Sequence, residues 1–438
     1  MTFAEKKALY ESKFISLQEA LDMVKSGDTI AQAAYGCEPL EMLRNLHTIA
    51  DRGVEDVCVW MGAPQEEYPF IGDPNNNLDG VISVNSIFLG APLRNQIAKG
   101  STRINFCPCN LHSMSKVMME TRKPNIFWAA VTPMDRYGYV AVSCTQQAEL
   151  EMLDSCDLVI FEVNKNLPYT CGTVRVPVEK VDYFIHVDYP ITHAPVAPAS
   201  PEQEKIAHYA SSLIKDGDCI QLGIGSLPNA CARQLMDKKD LGIHSEMFTN
   251  LMGTMVEKGV VTGARKNINR GKHNFCFAGG TAHLFDLIHE NPDCVIGPAT
   301  YVTDPMVIKQ NDNMVSINAI MEIDLTGQVC SETIGTRQYS GPGGAFDFAY
   351  GAAHSKGGRS ILIMHSTTNK GMSKIKPILT PGAAVTIPRP YVDIVVTEYG
   401  VAYMRGQTVQ NRVKQLIAIA HPSVREELMA EARKLFYI

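Results

Sequence analysis

The sequence predicts an α/β fold made of two similar, open, mainly parallel α/β domains. Two observations indicate this class. Short apolar runs, typical of parallel strands buried on both faces, alternate with segments of helical periodicity. A helix–turn–strand pattern near the start of the chain also recurs at the start of its second half. Strands interleaved with helices in this way favour open, mainly parallel sheets.

The recurring pattern consists of an amphipathic helix, a Gly-Asp turn and a strand. Residues 18–30 show it first, with the turn at Gly27-Asp28. Residues 204–220 show it again, with the turn at Gly217-Asp218. Small residues and glycine follow each strand, and a proline then opens the next helix. This internal repeat predicts two related α/β halves.

A proline-rich segment between Asp188 and Glu202 marks the boundary between the halves. Because proline disfavours helix interiors, the segment predicts an extended linker. We therefore predict an N-terminal domain over 1–190 and a C-terminal domain over 202–438, and 438 residues suffice for both. The prolines of the linker are Pro190, Pro195, Pro198 and Pro201.

Individual runs support parallel strands and a helical end. Residues 157–163, 360–364 and 392–397 are short apolar runs typical of buried strands. Residues 408–436 alternate apolar and charged positions at helical spacing and predict mostly helix. In open parallel sheets, ligands bind beyond the carboxyl ends of the strands. We therefore look for chemistry in the loops that follow the strands.

Composition excludes several classes of protein. Hydrophobic residues make up 45% and charged residues 20% of the chain, which excludes a disordered or collagen-like protein. A formal net charge of -6 does not favour nucleic-acid binding. The opening segment lacks the apolar core of a secretory signal, and no apolar run approaches the ~18 residues of a membrane helix. We expect a cytoplasmic protein with no membrane or nucleic-acid partner.

One group of the twelve cysteines has the composition of a metal site. Cys107, Cys109 and His112 provide three soft ligands within six residues. A structural zinc site would need a fourth ligand, usually from another close pair. No such pair stands out, so we predict reduced thiols and no metal.

A glycine turn directly after a predicted strand is the first candidate site. Gly223 and Gly225 permit a sharp turn that brings amide groups close to a ligand, and Pro228 suits the first turn of the next helix. A dinucleotide-binding fingerprint would require a third glycine in place of Pro228. The pattern alone fits either a ligand-binding turn or a plain strand-to-helix turn.

Two further segments carry candidate groups. Glu246, in the sequence LGIHSEM, follows a short predicted strand, so we expect it in the loop after that strand. A carboxylate there can act as a base or a covalent nucleophile, or Ser245 and Glu246 can simply begin a helix. The glycine-rich stretch 340–352 can direct backbone amides at an oxyanion, or it can be a plain loop.

Taken together and in this order, these segments resemble one family. The chain is similar to the acetyl-CoA hydrolase/transferase family of class I CoA-transferases, and within it to enzymes that act on 4-hydroxybutyrate. The shared motifs extend over most of the chain. They are SLQEALDMVKSGD at 16–28, QLGIGSLPNA at 221–230, LGIHSEM at 241–247, SINAIMEIDLTGQV at 316–329, IGTRQYSG at 334–341, PGAAVT at 381–386, VVTEYGVAYMRGQ at 395–407 and IAHP at 419–422.

The resemblance implies a fold, an active site and residue roles. The implied fold is the class I CoA-transferase fold, two similar α/β domains with the active site between them. Glu246 takes the position of the family's catalytic glutamate, and Gly344 that of an oxyanion-hole amide. Lys374 is implied to reach the CoA phosphates. The residues implied to bind CoA are Gly223, Ile224, Gly225, Ser226, Leu227, Met321, Gly344 and Lys374.

The implied reaction is ping-pong CoA transfer through a glutamyl-CoA thioester on Glu246. Acetyl-CoA, or another acyl-CoA, donates CoA to a short-chain carboxylate such as 4-hydroxybutyrate or butyrate. CoA thioesters are substrates, so no tightly bound cofactor is expected. Because the thioester energy is retained, neither ATP nor a metal is required. The resemblance also implies a homo-oligomer, either a homodimer or a homotetramer.

Two departures from the family pattern lie beside the expected site. Ala345 stands where relatives carry glutamine after two glycines, and Thr303-Asp304-Pro305 replaces Asn-His-Pro. We assign Thr303, Gly343 and Ala345 to the substrate pocket. These changes leave the reaction class in place but open the choice of acid to butyrate, another short acid or a dicarboxylate.

Three other functions compete with CoA transfer. An acyl-CoA hydrolase would use the same Glu246, with water resolving the intermediate. A non-catalytic CoA-binding protein is disfavoured because Glu246 is present. A nicotinamide oxidoreductase is disfavoured because Pro228 interrupts the fingerprint.

Overall fold

A computed structural model describes residues 1–73, 77–191 and 198–438. The α-helices are α1 Phe3–Ser12, α2 Leu17–Asp22, α3 Leu40–Asn45, α4 Ala91–Ala98, α5 Met114–Thr121, α6 Glu149–Ser155, α7 Pro201–Ser212, α8 Ser226–Arg233, α9 Asn250–Glu257, α10 Ala282–Ile288, α11 Ala299–Val302, α12 Pro305–Ile308, α13 Ala345–His354, α14 Val409–Ala418 and α15 Arg425–Lys434. Short 3₁₀ turns cover Tyr35–Cys37, Leu46–Arg52, Leu111–Ser113, Val178–Lys180, Arg389–Tyr391 and Pro422–Val424.

The strands are β1 Thr29–Gln32, β2 Val57–Trp60, β3 Ile82–Ser86, β4 Ile104–Phe106, β5 Ile126–Val131, β6 Tyr139–Ala141, β7 Leu158–Asn164, β8 Cys171–Gly172, β9 Arg175–Pro177, β10 Tyr183–Val187, β11 Cys219–Leu222, β12 Gly242–Thr249, β13 His273–Gly279, β14 Cys294–Ile296, β15 Met314–Ala319, β16 Glu322–Asp324, β17 Val329–Cys330, β18 Thr333–Ile334, β19 Arg337–Gln338, β20 Arg359–Ile363, β21 Ile375–Lys376, β22 Ile394–Thr397 and β23 Gly400–Tyr403.

The chain forms two compact units. The first contains Met1–Ala194 and Cys276–Tyr301, and the second contains Pro195–Phe275 and Val302–Ile438. The chain therefore returns to the first unit for one segment, within which β14 pairs in parallel with β8. The domain boundaries drawn from the sequence, 1–190 and 202–438, contain no such return and stay a prediction.

Each unit contains a mainly parallel sheet. In the first unit the strand order is β10-β7-β5-β1-β2-β3-β4, with parallel neighbours throughout. In the second unit the order β22-β20-β15-β11-β12 is also parallel, and β23 joins β22 as an antiparallel edge strand. The mixed α/β class with mainly parallel sheets is thus confirmed.

The two sheets have the same internal order. In the first, β1 lies between β2 and the later strand β5; in the second, β11 lies between β12 and the later strand β15. The strand order reverses at β1 and at β11, and crevices at such reversals are where open α/β sheets bind ligands. This shared order confirms the repeat predicted from the helix–turn–strand pattern.

The predicted elements are largely present. The apolar runs form β7, β20 and β22, and the last stretch forms α14 and α15. One detail of the linker is wrong, because Pro201 is the first residue of α7. Proline fits this position since its missing N–H has no partner within the helix. Residues 192–197 of the predicted linker, including Pro195, lie outside the described residues.

Apolar side chains on the sheets and their covering helices form a separate core in each unit. Trp128 and Ile160 belong to the core of the first unit, and Leu362 and Val395 to that of the second. Burial of these side chains stabilises the sheets.

Candidate functional site

Glu246 lies within strand β12, not in the loop predicted after a strand. β11 and β12 pair at Cys219 with Gly242 and at Ile220 with Ile243. Three residues further in this parallel register, Gly223 is level with Glu246. Since β11 ends at Leu222, the second half of β12 extends past it. The strand therefore carries Glu246 beyond the carboxyl end of its neighbour.

The Glu246 side chain is held by the start of helix α13. The backbone N–H of Gly344 donates to Glu246 Oε2 at 2.8 Å. Burial raises the pKa of Glu246 to about 7; the Gly344 N–H opposes this shift, and the negative charge of the buried Asp347 adds to it. A carboxylate with little hydration is a better nucleophile than one in bulk water. The site thus contains a partly buried carboxylate in contact with a backbone donor.

The glycine turn lies between β11 and α8. Gly223 N–H donates to the carbonyl of Ile317 at 2.8 Å, which holds the turn against β15. A Cβ on Gly223 would lie 3.0 Å from Asn318 Oδ1, and Gly225 has a φ of +116°, so both positions favour glycine. Ile224 between them is 50% exposed. The turn therefore presents its backbone at the surface of the second unit.

The helix after the turn starts at Ser226, with Leu227 and Pro228 in its first turn as expected for Pro228. Ser226 Oγ accepts a hydrogen bond from Gln203 Nε2 of α7 at 2.9 Å. Leu227 is buried. These contacts fix the position of the α8 amino end.

Met321 and Lys374 lie near each other, Met321 two residues after the end of β15 and Lys374 directly before β21. Lys374 Nζ donates to the carbonyl of Ile320, the residue before Met321, at 3.4 Å. Burial lowers the pKa of Lys374, while the charges of Glu398 and Glu322 oppose this shift. The two sequence-predicted positions are thus brought together, and the ammonium group retains donors for a further acceptor.

The three predicted pocket residues lie on two segments. Thr303 is fully buried between α11 and α12, and the next residue, Asp304, caps α12 by accepting the N–H of Met306 at 2.8 Å. Gly343 has a φ of +54°, and Ala345 is the first residue of α13. Gly343 and Ala345 therefore flank the Gly344 amide that holds Glu246.

Two groups at this edge were not singled out in the sequence. Asp347 lies one helical turn after Gly344, a spacing that places both at the start of one helix. Asn318 forms a reciprocal pair of hydrogen bonds with Gln221, at 3.0 and 3.1 Å, which joins the ends of β15 and β11. Only the helical spacing of Asp347 had a signal in the sequence.

Other predicted features concern metals and membranes. Within residues 1–73, 77–191 and 198–438, no group of three His, Cys, Asp or Glu side chains is placed to hold a metal ion. Cys107 Sγ lies 3.7 Å from Thr121 Oγ1. Among the helices of the described residues, none has the length and apolar content needed to cross a bilayer.

The sequence matches the two domain models of one protein family. The acetyl-CoA hydrolase/transferase N-terminal domain matches residues 2–194, and the C-terminal domain matches residues 280–432. Together the two models cover most of the chain. Glu246 lies between the two matched ranges.

Individual relatives extend over almost the whole chain. The 4-hydroxybutyrate coenzyme A transferase of Clostridium kluyveri is 38% identical, covering 99% of this chain and 100% of the relative. The succinyl-CoA:cyclohexane-1-carboxylate CoA transferase of Geobacter metallireducens is also 38% identical, covering 97% and 96%. The solved structure of RipA from Yersinia pestis superposes with a TM-score of 0.93 at 34% identity, covering 99% and 100%.

Relatives named as hydrolases are more distant. The acetyl-CoA hydrolase of Yarrowia lipolytica is 28% identical over 48% of this chain and 40% of the relative. Identity and coverage thus both favour the relatives named as transferases.

Proposed function

The chain belongs to the acetyl-CoA hydrolase/transferase family and is a CoA-transferase. On this basis we propose that it moves CoA between an acyl-CoA and a short-chain carboxylate, by way of a covalent adduct on Glu246. One observation carries this proposal. Glu246 extends beyond the end of β11, and the Gly344 N–H contacts its carboxylate. A nucleophile and a donor for its oxygen are therefore paired before substrate arrives.

In the first step, a Glu246 oxygen attacks the thioester carbonyl carbon. The carbon–sulfur bond breaks, CoA leaves as the thiolate, and the acyl group forms a mixed anhydride with Glu246. Burial favours this attack because few waters need to leave the carboxylate. A backbone donor at the developing oxyanion contributes about 3–4 kcal/mol in other enzymes. We assign that donor to Gly344.

In the second step, the thiolate attacks the side-chain carbonyl carbon of Glu246. The bond to the acyl carboxylate breaks, the first acid leaves, and a glutamyl-CoA thioester remains. An incoming carboxylate then attacks the same carbon and repeats both steps in reverse, which yields a new acyl-CoA and free Glu246. No bond energy is lost to hydrolysis, so the cycle needs no ATP and no tightly bound cofactor.

The carboxyl edge of the second-unit sheet supplies the CoA site in this proposal. The stretch Gly223–Leu227 binds the pantetheine arm in this proposal, and Ile224 and Gly225 of the glycine turn are exposed. Lys374 offers a charge for the CoA phosphates, and Met321 lies beside it. Binding of the remote nucleotide end can help to position the reacting thioester.

The proposed acids are short-chain carboxylates such as 4-hydroxybutyrate and butyrate, with acetyl-CoA as a donor. Thr303, Gly343 and Ala345 form the pocket in this proposal. Two relatives of equal identity are named for very different acids, 4-hydroxybutyrate and cyclohexane-1-carboxylate. Overall similarity therefore does not select the acid, and we assign the selection to the residues beside Glu246 and Gly344.

Acyl-CoA hydrolysis is the second candidate, favoured by the family's hydrolase members. It would share the glutamyl-CoA intermediate, with water in place of the incoming acid. The two activities are separated by their products, because transfer yields a new thioester and hydrolysis yields free CoA.

The decisive experiment mixes the purified protein with butyryl-CoA and isotope-labelled acetate and follows labelled acetyl-CoA and free CoA by mass spectrometry. Without acetate, the intact protein should gain the mass of CoA less one water, located at Glu246. Labelled acetyl-CoA together with this adduct supports the proposal. Free CoA alone indicates a hydrolase, and an adduct absent under both conditions contradicts the mechanism.

The assembly and location are also proposed from the family. We propose a cytoplasmic homodimer or homotetramer. Light scattering on the purified protein measures the mass directly, and a monomer would contradict this assignment.

A further inference from the structure

His244 lies two residues before Glu246 on strand β12. Side chains two apart on a strand point to the same face, so His244 and Glu246 share one face of β12. The imidazole is fully buried. Since buried polar groups in proteins are normally hydrogen-bonded, we identify the partner of each ring nitrogen of His244.

One ring nitrogen is bound and the other is not. His244 Nε2 lies 2.8 Å from the carbonyl oxygen of Val302. A carbonyl only accepts, so Nε2 carries the hydrogen and Nδ1 holds a lone pair. Within the described residues, Nδ1 is buried with no hydrogen-bond partner. Burial, together with the nearby charge of Lys266, lowers the pKa of His244 to about 3, so the ring is neutral at physiological pH.

The Val302 carbonyl that accepts this hydrogen bond belongs to the segment that contains Thr303. Val302 is the last residue of α11, and Asp304 begins α12 as its cap. The His244 bond therefore joins this short connection to the strand that carries Glu246. The ring also meets the edge of Phe348, with centroids 6.4 Å apart. Phe348 in turn lies 3.3 Å from the Cβ position of Gly344.

His244 thus contacts both the connection that contains Thr303 and the helix whose first turn holds the Glu246 carboxylate. We propose that His244 is a positioning residue for the acid-binding side of the site, whose Nε2–H fixes Thr303 relative to Glu246 and so sets which carboxylates are accepted. This inference rests on the proposed CoA-transfer function. His244 donates no proton to the reaction in this role.

Two substitutions separate positioning from general structural support. In His244→Gln the amide nitrogen reaches the place of Nε2, whereas in His244→Asn it reaches only the place of Nδ1. Both variants are polar and similar in size, so they carry comparable folding costs. We expect His244→Gln to retain the selectivity of the parent for acetate, butyrate and 4-hydroxybutyrate. We expect His244→Asn to change the ratio of kcat/KM among these acids by about tenfold or more.

Two further readouts keep the test specific. The affinity for free CoA, measured by calorimetry, should stay within about twofold of the parent in both variants. The bond to Val302 involves none of the residues proposed to bind CoA. The pH–rate profile of His244→Gln should match that of the parent, since a neutral ring does not titrate. Equal behaviour of Gln and Asn, or a limb missing from the Gln profile, would overturn the inference.

If the proposed CoA-transfer function itself is wrong, the experiment gives a different result. In that case the parent protein itself forms no adduct and no labelled acetyl-CoA. An active parent with two variants of unchanged selectivity would reject the role of His244 alone.

Discussion

The backbone N–H of Gly344 points at Glu246 Oε2 across 2.8 Å, although 98 residues separate the two in sequence. A Cβ on Gly344 would lie 2.4 Å from the same oxygen, closer than any contact between non-bonded atoms permits. A side chain at position 344 would therefore have to displace the Glu246 carboxylate from its present place. Through this hydrogen bond, the Gly344 amide forms part of the immediate environment of the Glu246 carboxylate.

Gly344→Ala should sharply reduce formation of the glutamyl-CoA adduct. The methyl group displaces either the carboxylate or the start of α13, and loss of one oxyanion donor costs about 10²–10³ in rate in other enzymes. Rapid mixing with acetyl-CoA followed by mass spectrometry measures adduct formation. Circular dichroism shows whether the fold is kept; an unchanged rate in a folded variant would remove Gly344 from the mechanism.

Glu246→Gln should abolish the adduct and the transfer of label while leaving the protein folded. Its effect on stability should depend on pH. The partly buried Glu246 carboxyl has a pKa of about 7, above its ordinary value of 4.5, so the folded protein loses stability relative to the unfolded chain as the pH rises from 4.5 to about 7. The variant should therefore melt a few degrees above the parent at pH 8 and close to it below pH 4.5.

The control for that substitution is Glu257→Gln, which changes an exposed glutamate at the end of α9. It should retain turnover and show no pH-dependent gain in melting temperature. Turnover by Glu246→Gln at the level of this control would exclude Glu246 as the nucleophile.

The rate of adduct formation should rise with pH through an apparent pKa near 7, because only the ionised Glu246 attacks. Asp347→Asn removes a negative charge that raises this pKa, so the rise should move to lower pH. Single-turnover rates with acetyl-CoA between pH 5 and 9 measure the shift. The exposed Asp237→Asn is the control and should not move the profile; an unmoved profile in both variants would rule out the influence of Asp347.

Lys374→Met should raise the KM for acyl-CoA by about tenfold, the effect of losing one charged hydrogen bond to phosphate. The same variant should use acyl-pantetheine as well as the parent does, because that substrate lacks the nucleotide phosphates. Lys370→Met, at an exposed position four residues earlier, should change neither value. Equal losses on both substrates would place Lys374 elsewhere than at the phosphates.

The pair of changes Thr303→Asn and Ala345→Gln introduces the residues that the family pattern described in the sequence analysis implies at these positions. Thr303 is buried and Ala345 follows the Gly344 donor, so the two changes place side-chain amides, which can bind a hydroxyl group, in the proposed pocket. We expect the ratio of kcat/KM for 4-hydroxybutyrate over butyrate to rise by about tenfold. A ratio that stays constant would show that acid choice lies outside these two positions.

The fold was predictable where the signal is local. The strands β7, β20 and β22 are short apolar runs, and α14 and α15 follow helical periodicity. The repeat of helix, Gly-Asp turn and strand is also local, and the matching strand orders of the two sheets explain it.

The site was less predictable because its contacts are not local. Ser245 and Glu246 interrupt an apolar run and so indicate a loop, yet β12 continues to Thr249 because Met247 and Phe248 are buried beyond them. Gly344 and Glu246 come from distant segments of the chain, so no regular spacing in the sequence indicates their contact. The family resemblance identifies these residues, whereas periodicity does not.

The return of Cys276–Tyr301 to the first unit has a consequence for the order of folding during synthesis. Multidomain chains commonly fold from the N-terminus as each domain emerges from the ribosome. Here β14, the parallel partner of β8, is translated only after Pro195–Phe275 of the second unit. The first unit therefore cannot form the pairing between β8 and β14 until residues 294–296 have been synthesised. A gene truncated at the linker would produce a first unit in which Cys171–Gly172 lacks its parallel partner.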